Sequence, residues 1–223
     1  MKCWPALPLL AVLSACVSQQ PAAERPASAA EQQQQAAALY LDAVRGLIAR
    51  QQYFAAVAHI AEDRRSHGDS PPLRLLEADA RRNLGQVAEA RKLYSGLLIG
   101  PLAGDANRGL GLIAAAAGNL GAAIPYFKAA VALKPVDVDV RNDLGFALMQ
   151  AGRYAEARTE LATALELAPG QTKSRNNLLI LLLAAGDDAA VRRVLAASEP
   201  IDAALLARLR AEAQSLKSQK KGS

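Results

Sequence analysis

The chain has 223 residues, with 26 Lys and Arg against 21 Asp and Glu and a formal net charge of +5 at pH 7. Aromatic residues make up only 4% of the sequence, and the basic residues are interleaved with acidic ones. A nucleic-acid-binding surface concentrates basic and aromatic side chains, so this composition argues against nucleic acid as a partner.

The N-terminus resembles a bacterial lipoprotein signal. Lys2 precedes a mostly apolar run from Ala6 to Ala15, which is too short to span a membrane. The run ends in Leu13-Ser14-Ala15-Cys16, which is similar to the lipobox, whose cysteine becomes lipid-linked after cleavage. We therefore predict a signal peptide over residues 1–15 and lipidation of Cys16. The alternative is an ordinary secretory signal with a chance cysteine.

The two cysteines and the residue after Cys16 lead to two further expectations. Only Cys3 and Cys16 are present, so cleavage and lipidation would leave no thiol for a disulfide. Val17 follows Cys16, where inner-membrane retention signals of enteric bacteria carry aspartate. The predicted location is thus the periplasmic face of the outer membrane, reached through a lipid anchor.

Composition divides the rest of the chain into three segments. Residues 16–35 are rich in Gln, Ala, Pro and Ser, and we expect them to form a flexible tether. Residues 36–216 are enough for one repeat domain. Residues 217–223 contain three lysines, and we expect them to form a solvated, disordered basic tail.

Small and helix-ending residues recur in this domain with a period of 34 residues. Small side chains let two helices approach closely, and proline stops a helix. A 34-residue period is that of helix–turn–helix arrays, so the predicted fold is all-α. The first set is Gly111, Gly118, Ala123, Ala130 and Pro135, and the second is Gly145, Gly152, Ala157, Ala164 and Pro169.

The spacing resembles the tetratricopeptide repeat, and five units follow it. The third and fourth units match its preferred residues well, and the second has a connection shorter by one residue. The outer two are blurred, as expected where one face meets solvent. The units are about Ala37–Ser70, Pro71–Ala103, Gly104–Asp137, Val138–Gln171 and Thr172–Leu205. Because apolar residues follow helical spacing from Ala203 to Leu216, the resemblance implies a solenoid of about five helix pairs plus a C-terminal capping helix.

No motif in the chain indicates catalysis or metal binding. His59 and His67 are the only histidines, and after processing no cysteine would remain to join them. No phosphate-binding loop, Gly-x-Ser-x-Gly or His-Glu-x-x-His motif occurs. We expect neither a metal, a cofactor nor an enzymatic activity.

The tetratricopeptide resemblance implies a peptide-binding groove, because positions 5, 9 and 12 of each first helix line the concave side of such folds. Here these positions combine an apolar strip with two amides and a guanidinium, which suits a peptide or an amphipathic helix. Position 5 holds Arg108, Asn142 and Asn176, position 9 holds Leu112, Phe146 and Ile180, and position 12 holds Ala115, Met149 and Leu183.

Two occupants of this strip are possible from the sequence alone. An exposed apolar strip suits a protein partner. The alternative is intramolecular, with the terminal helix at Ile201–Leu216 or the tether covering the strip. The family's dicarboxylate clamp does not carry over, because hydrophobic residues occupy the rows beside Arg108, Asn142, Asn176 and Lys173.

The signal, tether and repeats together resemble TadD-type lipoproteins of tight-adherence (Flp) pilus systems, most sharply over Arg141–Asp187. The resemblance implies a pilotin-like role, in which a lipid-anchored scaffold binds a segment of an outer-membrane secretin and raises its effective concentration at the membrane. The alternative is a general envelope adaptor that recruits peptidoglycan hydrolases or regulates a periplasmic enzyme.

Overall fold

A computed structural model of the protein describes residues 28–221, which form helices and turns without a strand. The described residues from Leu39 onward form one compact unit, and its boundary with the preceding residues lies inside the first helix. No helix in the described part of the chain is long and apolar enough to cross a membrane. The helices are α1 (Ala29–Ala49), α2 (Tyr53–His67), α3 (Pro71–Asn83), α4 (Val87–Ser95), α5 (Ala103–Ala116), α6 (Leu120–Leu133), α7 (Val138–Gln150), α8 (Tyr154–Leu167), α9 (Thr172–Ala185), α10 (Asp188–Ala196) and α11 (Ala203–Lys221).

The helices from α3 onward pack as consecutive pairs. The pairs are α3/α4, α5/α6, α7/α8 and α9/α10, and the second helix of each of the first three also packs against the first helix of the next. The first helices α3, α5, α7 and α9 contact one another in sequence. We call the surface that these four helices form the first-helix face. The predicted all-α repeat solenoid is thus confirmed.

The turn inside each pair from α3 to α10 contains a glycine with positive φ, and in two of these pairs a side chain also caps the helix that follows. Gly118 ends the first helix of its pair with φ 73°, a conformation that only glycine adopts without strain. Asn119 then caps α6, because its side-chain oxygen accepts a hydrogen bond from the backbone N–H of Ala122 at 3.0 Å. Asp187 caps α10 in the same way through the N–H of Ala190.

Within a pair, a missing side chain on one helix admits a large side chain from the other. A β-carbon on Gly111 would lie 2.6 Å from the ring of Phe127, and that ring is buried. Burying a phenylalanine side chain stabilises the fold by roughly 1.5–3 kcal/mol. The close approach predicted from the small residues is therefore present, and it is what lets Phe127 fill the space between α5 and α6.

The first helix begins earlier in the chain than the predicted end of the tether. Helix α1 begins at Ala29, inside the predicted tether of residues 16–35. Ser28 and Glu31 form a reciprocal capping box: Glu31 Oε2 accepts from the Ser28 N–H at 2.6 Å, and Ser28 Oγ accepts from the Glu31 N–H at 3.3 Å. The alanines and glutamines that follow are good helix formers. The rest of the tether and the predicted signal at 1–15 lie outside the described residues.

The C-terminal helix is present but longer than predicted. Helix α11 continues to Lys221, into the tail of residues 217–223 that we expected to be disordered. Lysine, glutamine and serine do not break a helix that has already started, which explains the extension. The helix packs against α9, and Leu209 and Ala213 are each only 3% exposed.

Candidate functional site

The eight residues predicted to line a groove do not form one exposed strip. Asn142, Met149 and Ile180 are 0%, 2% and 5% exposed, so their prediction as accessible groove residues is wrong. Phe146 is the exposed member, at 38%. The remaining four are partly exposed: Arg108, Leu112, Asn176 and Leu183.

The polar members of the predicted strip bind their own neighbours. Arg108 Nε donates to Asp143 Oδ2 at 2.8 Å, which joins α5 to α7. Asn142 Oδ1 accepts from Asn177 Nδ2 at 2.8 Å, which joins α7 to α9. In both cases a residue at position 5 binds the residue at position 6 of the next first helix. These groups therefore link neighbouring repeats, and the bonds satisfy Asn142 and Asp143, which would otherwise be buried polar groups without a partner.

Two further polar contacts involve residues beside these inter-repeat hydrogen bonds. Lys173 Nζ donates to the second oxygen of Asp143 at 2.9 Å, so that carboxylate lies between two cations. The oxygen of Asn176 accepts from Arg175 Nε at 3.3 Å. The side-chain oxygens of the two predicted groove amides, Asn142 and Asn176, thus already accept hydrogen bonds within the chain.

The C-terminal end of the first-helix face is covered by the chain itself. Ile180 on α9 is buried, whereas Phe146, at the same repeat position on α7, is exposed. Helix α11 packs on α9, and Leu205 and Leu216 pack against the cluster that includes Ile180. The self-covered alternative therefore holds at α9, while the surface from α3 to α7 lies outside the principal contact of α11.

A cavity of about 190 Å³ opens in this uncovered part, between the ends of α1, α3 and α5. It has an apolar side, formed by Ile48, Leu75 and Leu112. It also has a charged side, formed by Asp79, Arg82, Asp105 and Arg108, with Asn83 and Gly109 completing the lining. Leu112 and Phe146 occupy the same repeat position on α5 and α7, which contact each other. The cavity and Phe146 therefore belong to one surface.

Sequence reasoning missed the α3 side of this cavity. The groove positions predicted from the sequence come only from the last three repeats. In α3 the same positions lie one residue later than a 34-residue period predicts, because Ala90 precedes Ala123 by 33 residues. Applying that offset places Leu75 at position 5, Asp79 at position 9 and Arg82 at position 12. The sequence signal for these positions is the connection after the second unit, which is one residue shorter than the 34-residue period requires.

Tyr94 of α4 lies under the cavity and organises its polar groups. A β-carbon on Gly109 would lie 2.3 Å from the Tyr94 ring, so this glycine lets the buried ring pass beneath α5. The Tyr94 hydroxyl donates to Asp79 Oδ1 at 2.5 Å and accepts from Arg82 Nε at 3.4 Å. The hydroxyl thus fixes the orientation of both charged side chains.

Burial has the largest effect on the pKa values of Asp79 and Tyr94. Desolvation raises the pKa of Asp79 above its ordinary value, against the opposing effects of the Tyr94 hydrogen bond and the Arg82 charge. Desolvation also raises the pKa of Tyr94, and the neighbouring Asp79 carboxylate raises it further. Tyr94 therefore stays a hydrogen-bond donor at neutral pH.

A second cavity of about 380 Å³ lies between α8, α9 and α10. Its floor is apolar and includes Leu165, Leu178 and Leu182. At its rim, Arg158 donates to Asp187 at 3.0 Å, so this cation is already paired.

The described residues contain no group of three side chains suited to hold a metal ion. His59 and His67 are both exposed, and His67 Nδ1 lies 2.9 Å from Asp63 Oδ1. The two histidines do not converge on a common site with the cavity residues.

Comparisons with known proteins agree with the repeat architecture. Two tetratricopeptide-repeat families match, one over residues 75–138 and one over 114–173. No protein of curated function matches the chain.

Several solved structures share the fold. MamA 41-end from Desulfovibrio magneticus RS-1 is 19% identical with a TM-score of 0.55, and the match covers 82% of this chain and 96% of that one. MamA AMB-1 is 20% identical with a TM-score of 0.51, over 81% and 91% of the two chains. YrrB is 17% identical with a TM-score of 0.51, over 82% and 91%. Residues 75–173 therefore match tetratricopeptide repeats, and they lie in an all-α solenoid, a fold that is typical of protein–protein interaction scaffolds.

Proposed function

We propose that the protein is a scaffold that binds a peptide segment of a partner along the first-helix face, from the 190 Å³ cavity to Phe146. The observation that carries this proposal is the exposure of Phe146 at the repeat position that Leu112, which lines the cavity, occupies on the neighbouring helix α5. A single exposed apolar residue is ordinary on a protein surface, but one on the same face as a partly apolar cavity offers a second contact for one bound segment.

The use of this fold in a solved relative supports the proposal. YrrB is described as a tetratricopeptide-repeat protein with an unusual peptide-binding site. In the present protein the proposed site uses α1, α3, α5 and α7, because α11 occupies the surface of α9.

The cellular role that we propose is that of a TadD-type lipoprotein of a tight-adherence pilus. Cys16 would carry the lipid anchor at the periplasmic face of the outer membrane, and the bound segment would belong to a secretin. Support comes from the lipobox-like Leu13-Ser14-Ala15-Cys16 and from the resemblance over Arg141–Asp187. Anchoring would keep the secretin segment at high effective concentration beside the bilayer.

Site-specific photo-crosslinking in the bacterium that encodes the protein tests this proposal. Benzoylphenylalanine replaces Phe146 in the full chain, and the crosslinked proteins are identified by mass spectrometry. Phe54 on α2 provides the matched control, because it is an exposed phenylalanine, at 75%, away from the first-helix face. We expect a secretin crosslink from position 146 and none from position 54.

The Phe146→Glu variant adds a second test with the same readout. A buried carboxylate is costly, so this variant should lose the secretin in affinity capture while its circular dichroism stays that of a folded protein. Secretin capture by the folded variant would refute the proposed site. If the unmodified protein captures peptidoglycan hydrolases and no secretin, the general envelope adaptor role is favoured over the pilus role.

A further inference from the structure

We propose that Arg82 recognises a carboxylate side chain, Asp or Glu, in the bound peptide segment, with apolar residues beside that acid. This inference rests on the proposed function and names the chemistry of the segment. It also places the anchoring point at the α3 end of the first-helix face, on a residue outside the eight predicted from the sequence, although Arg108 and Leu112 of those eight line the same cavity.

The charged groups that line the cavity differ in how far they are already paired. Asp105 accepts from Lys134 Nζ at 2.7 Å, and Arg108 donates to Asp143 at 2.8 Å. Asp79 accepts the hydrogen bond of the buried Tyr94 hydroxyl at 2.5 Å. Each of these three groups therefore has a close partner before any ligand arrives.

Arg82 is the exception among these cavity groups. Its Nε donates a long hydrogen bond of 3.4 Å to the Tyr94 hydroxyl. Within residues 28–221, neither of its terminal nitrogens has a hydrogen-bond or ion-pair partner. The charge of Arg82 acts on the Asp79 carboxyl, although the two groups do not lie within ion-pair distance. A half-buried guanidinium thus offers two donors to the cavity.

A carboxylate is the group that matches these donors. A guanidinium presents parallel N–H groups that fit both oxygens of one carboxylate, and such charge-assisted pairs are stronger than neutral hydrogen bonds. The Tyr94 contact engages only Nε, so the two terminal nitrogens of this cavity-lining residue are left for an incoming acid.

The size and the apolar side of the cavity define the rest of the ligand. Small-molecule pockets commonly measure about 300–1,000 Å³, whereas this cavity measures about 190 Å³, which suits one side chain of a longer segment. Ile48, Leu75 and Leu112 lie on the apolar side. Residues next to the acid should therefore be apolar, and Phe146 on α7 would contact the segment farther along.

A peptide array tests the inference directly. Each acetylated and amidated dodecapeptide carries a central Glu, flanked by positions drawn from Leu, Ile, Val and Phe, and a matched peptide replaces Glu by Gln. The array is probed with the full chain, and the affinities of the best pairs are then measured by fluorescence anisotropy. We expect the Glu peptides to bind about tenfold more tightly than their Gln partners, as a hydrogen-bonded charge pair provides.

Three variants test whether the preference for Glu peptides depends on Arg82 itself or only on the net positive charge of the protein. Arg82→Gln should abolish the preference for Glu, and Arg82→Lys should retain part of it. Arg91→Gln removes the same charge from an exposed position on α4 outside the cavity and should leave the preference unchanged. Equal binding of Glu and Gln peptides by the unmodified protein, or an equal loss in Arg91→Gln, would overturn the inference.

The outcomes also separate this inference from the proposed function. If Gln peptides bind as tightly as Glu peptides, Arg82 does not recognise the acid and the inference fails. If the Phe146→Glu variant then no longer binds these peptides, the proposed peptide site is still supported. Failure of both peptide sets to bind would overturn the inference as stated. The crosslink from position 146, which does not depend on Arg82, then decides whether the proposed function fails as well.

Discussion

Gly145 of α7 lies so close to Leu161 of α8 that a β-carbon on the glycine would be 2.6 Å from Leu161 Cγ. The same relationship joins Gly111 to Phe127 one repeat earlier, also at 2.6 Å. Leu161 and Phe127 are both buried. The glycine at this repeat position thus makes room for a large buried side chain in both of these helix pairs.

Gly145→Ala should destabilise the protein by roughly 1–3 kcal/mol, because the added methyl group forces a well-packed pair of helices apart. Urea denaturation followed by circular dichroism measures the change. Gly121→Ala is the control, since the nearest atom to a β-carbon there is Asn119 Oδ1 at 3.6 Å. Alanine at 121 should be neutral or stabilising by up to about 1 kcal/mol. Equal stability of both variants would contradict the packing argument.

Met149 and Phe146 should respond differently to truncation, although the sequence assigned both to the groove. Met149 is 2% exposed and Phe146 is 38% exposed. Met149→Ala should cost about 2–5 kcal/mol in the free energy of unfolding, because it leaves a cavity in the core. Phe146→Ala should cost less than about 1.5 kcal/mol, because much of that side chain already meets water. Denaturant titration of the two variants provides the comparison, and equal costs would contradict the burial assigned to them.

Gln51→Gly should stabilise the protein. Gln51 is the non-glycine residue with positive φ among residues 28–221, at 59°, and it lies 34 residues before Gly85, which has φ 76°. A residue with a β-carbon in this conformation is strained, so glycine should add about 0.5–1 kcal/mol of stability. Gln52→Gly is the control, because Gln52 has φ −86° and gains nothing from glycine. Thermal unfolding distinguishes them, and a lower melting temperature for Gln51→Gly would refute the strain.

Asp79→Asn should raise the melting temperature at neutral pH. Burial raises the folded-state pKa of Asp79 above its ordinary 3.8, so the folded protein binds this proton more tightly than the unfolded chain does. Ionised Asp79 therefore costs stability, and the cost appears as pH rises from 3.8 through the raised value. Asparagine keeps an acceptor for the Tyr94 hydroxyl without the charge. The advantage of the variant should shrink toward zero as pH falls below 3.8, and an advantage independent of pH would contradict this assignment.

Cys16→Ser should release the protein from the membrane fraction, if Cys16 carries the proposed lipid anchor. Cys3→Ser is the matched control, because Cys3 lies in the predicted signal peptide and should be lost with it. Membrane fractionation and mass spectrometry of the N-terminal peptide give the readout. An unmodified Cys16 in the mature protein would contradict the lipoprotein prediction.

The start of α1 shows a local signal that was present in the sequence and not used. Ser28-x-x-Glu31 has the spacing of a capping box, and the structure forms it. Composition alone assigned these residues to the tether, because averaging over 16–35 hides a pattern of four residues. Local capping chemistry would have placed the helix start correctly.

The repeat fold was determined by the sequence itself, because each helix pair depends on contacts between residues close along the chain, such as Gly111 with Phe127 and Gly145 with Leu161. The open binding surface was decided by the tertiary structure. Asn142 is buried and hydrogen-bonded to an amide 35 residues away, and Arg108 is paired with an acid 35 residues away. Ile180 is buried where the last helix packs on α9, whereas Phe146 stays exposed. A periodic pattern specifies which way a side chain points, but its exposure depends on what the neighbouring repeats and the terminal helix place against it.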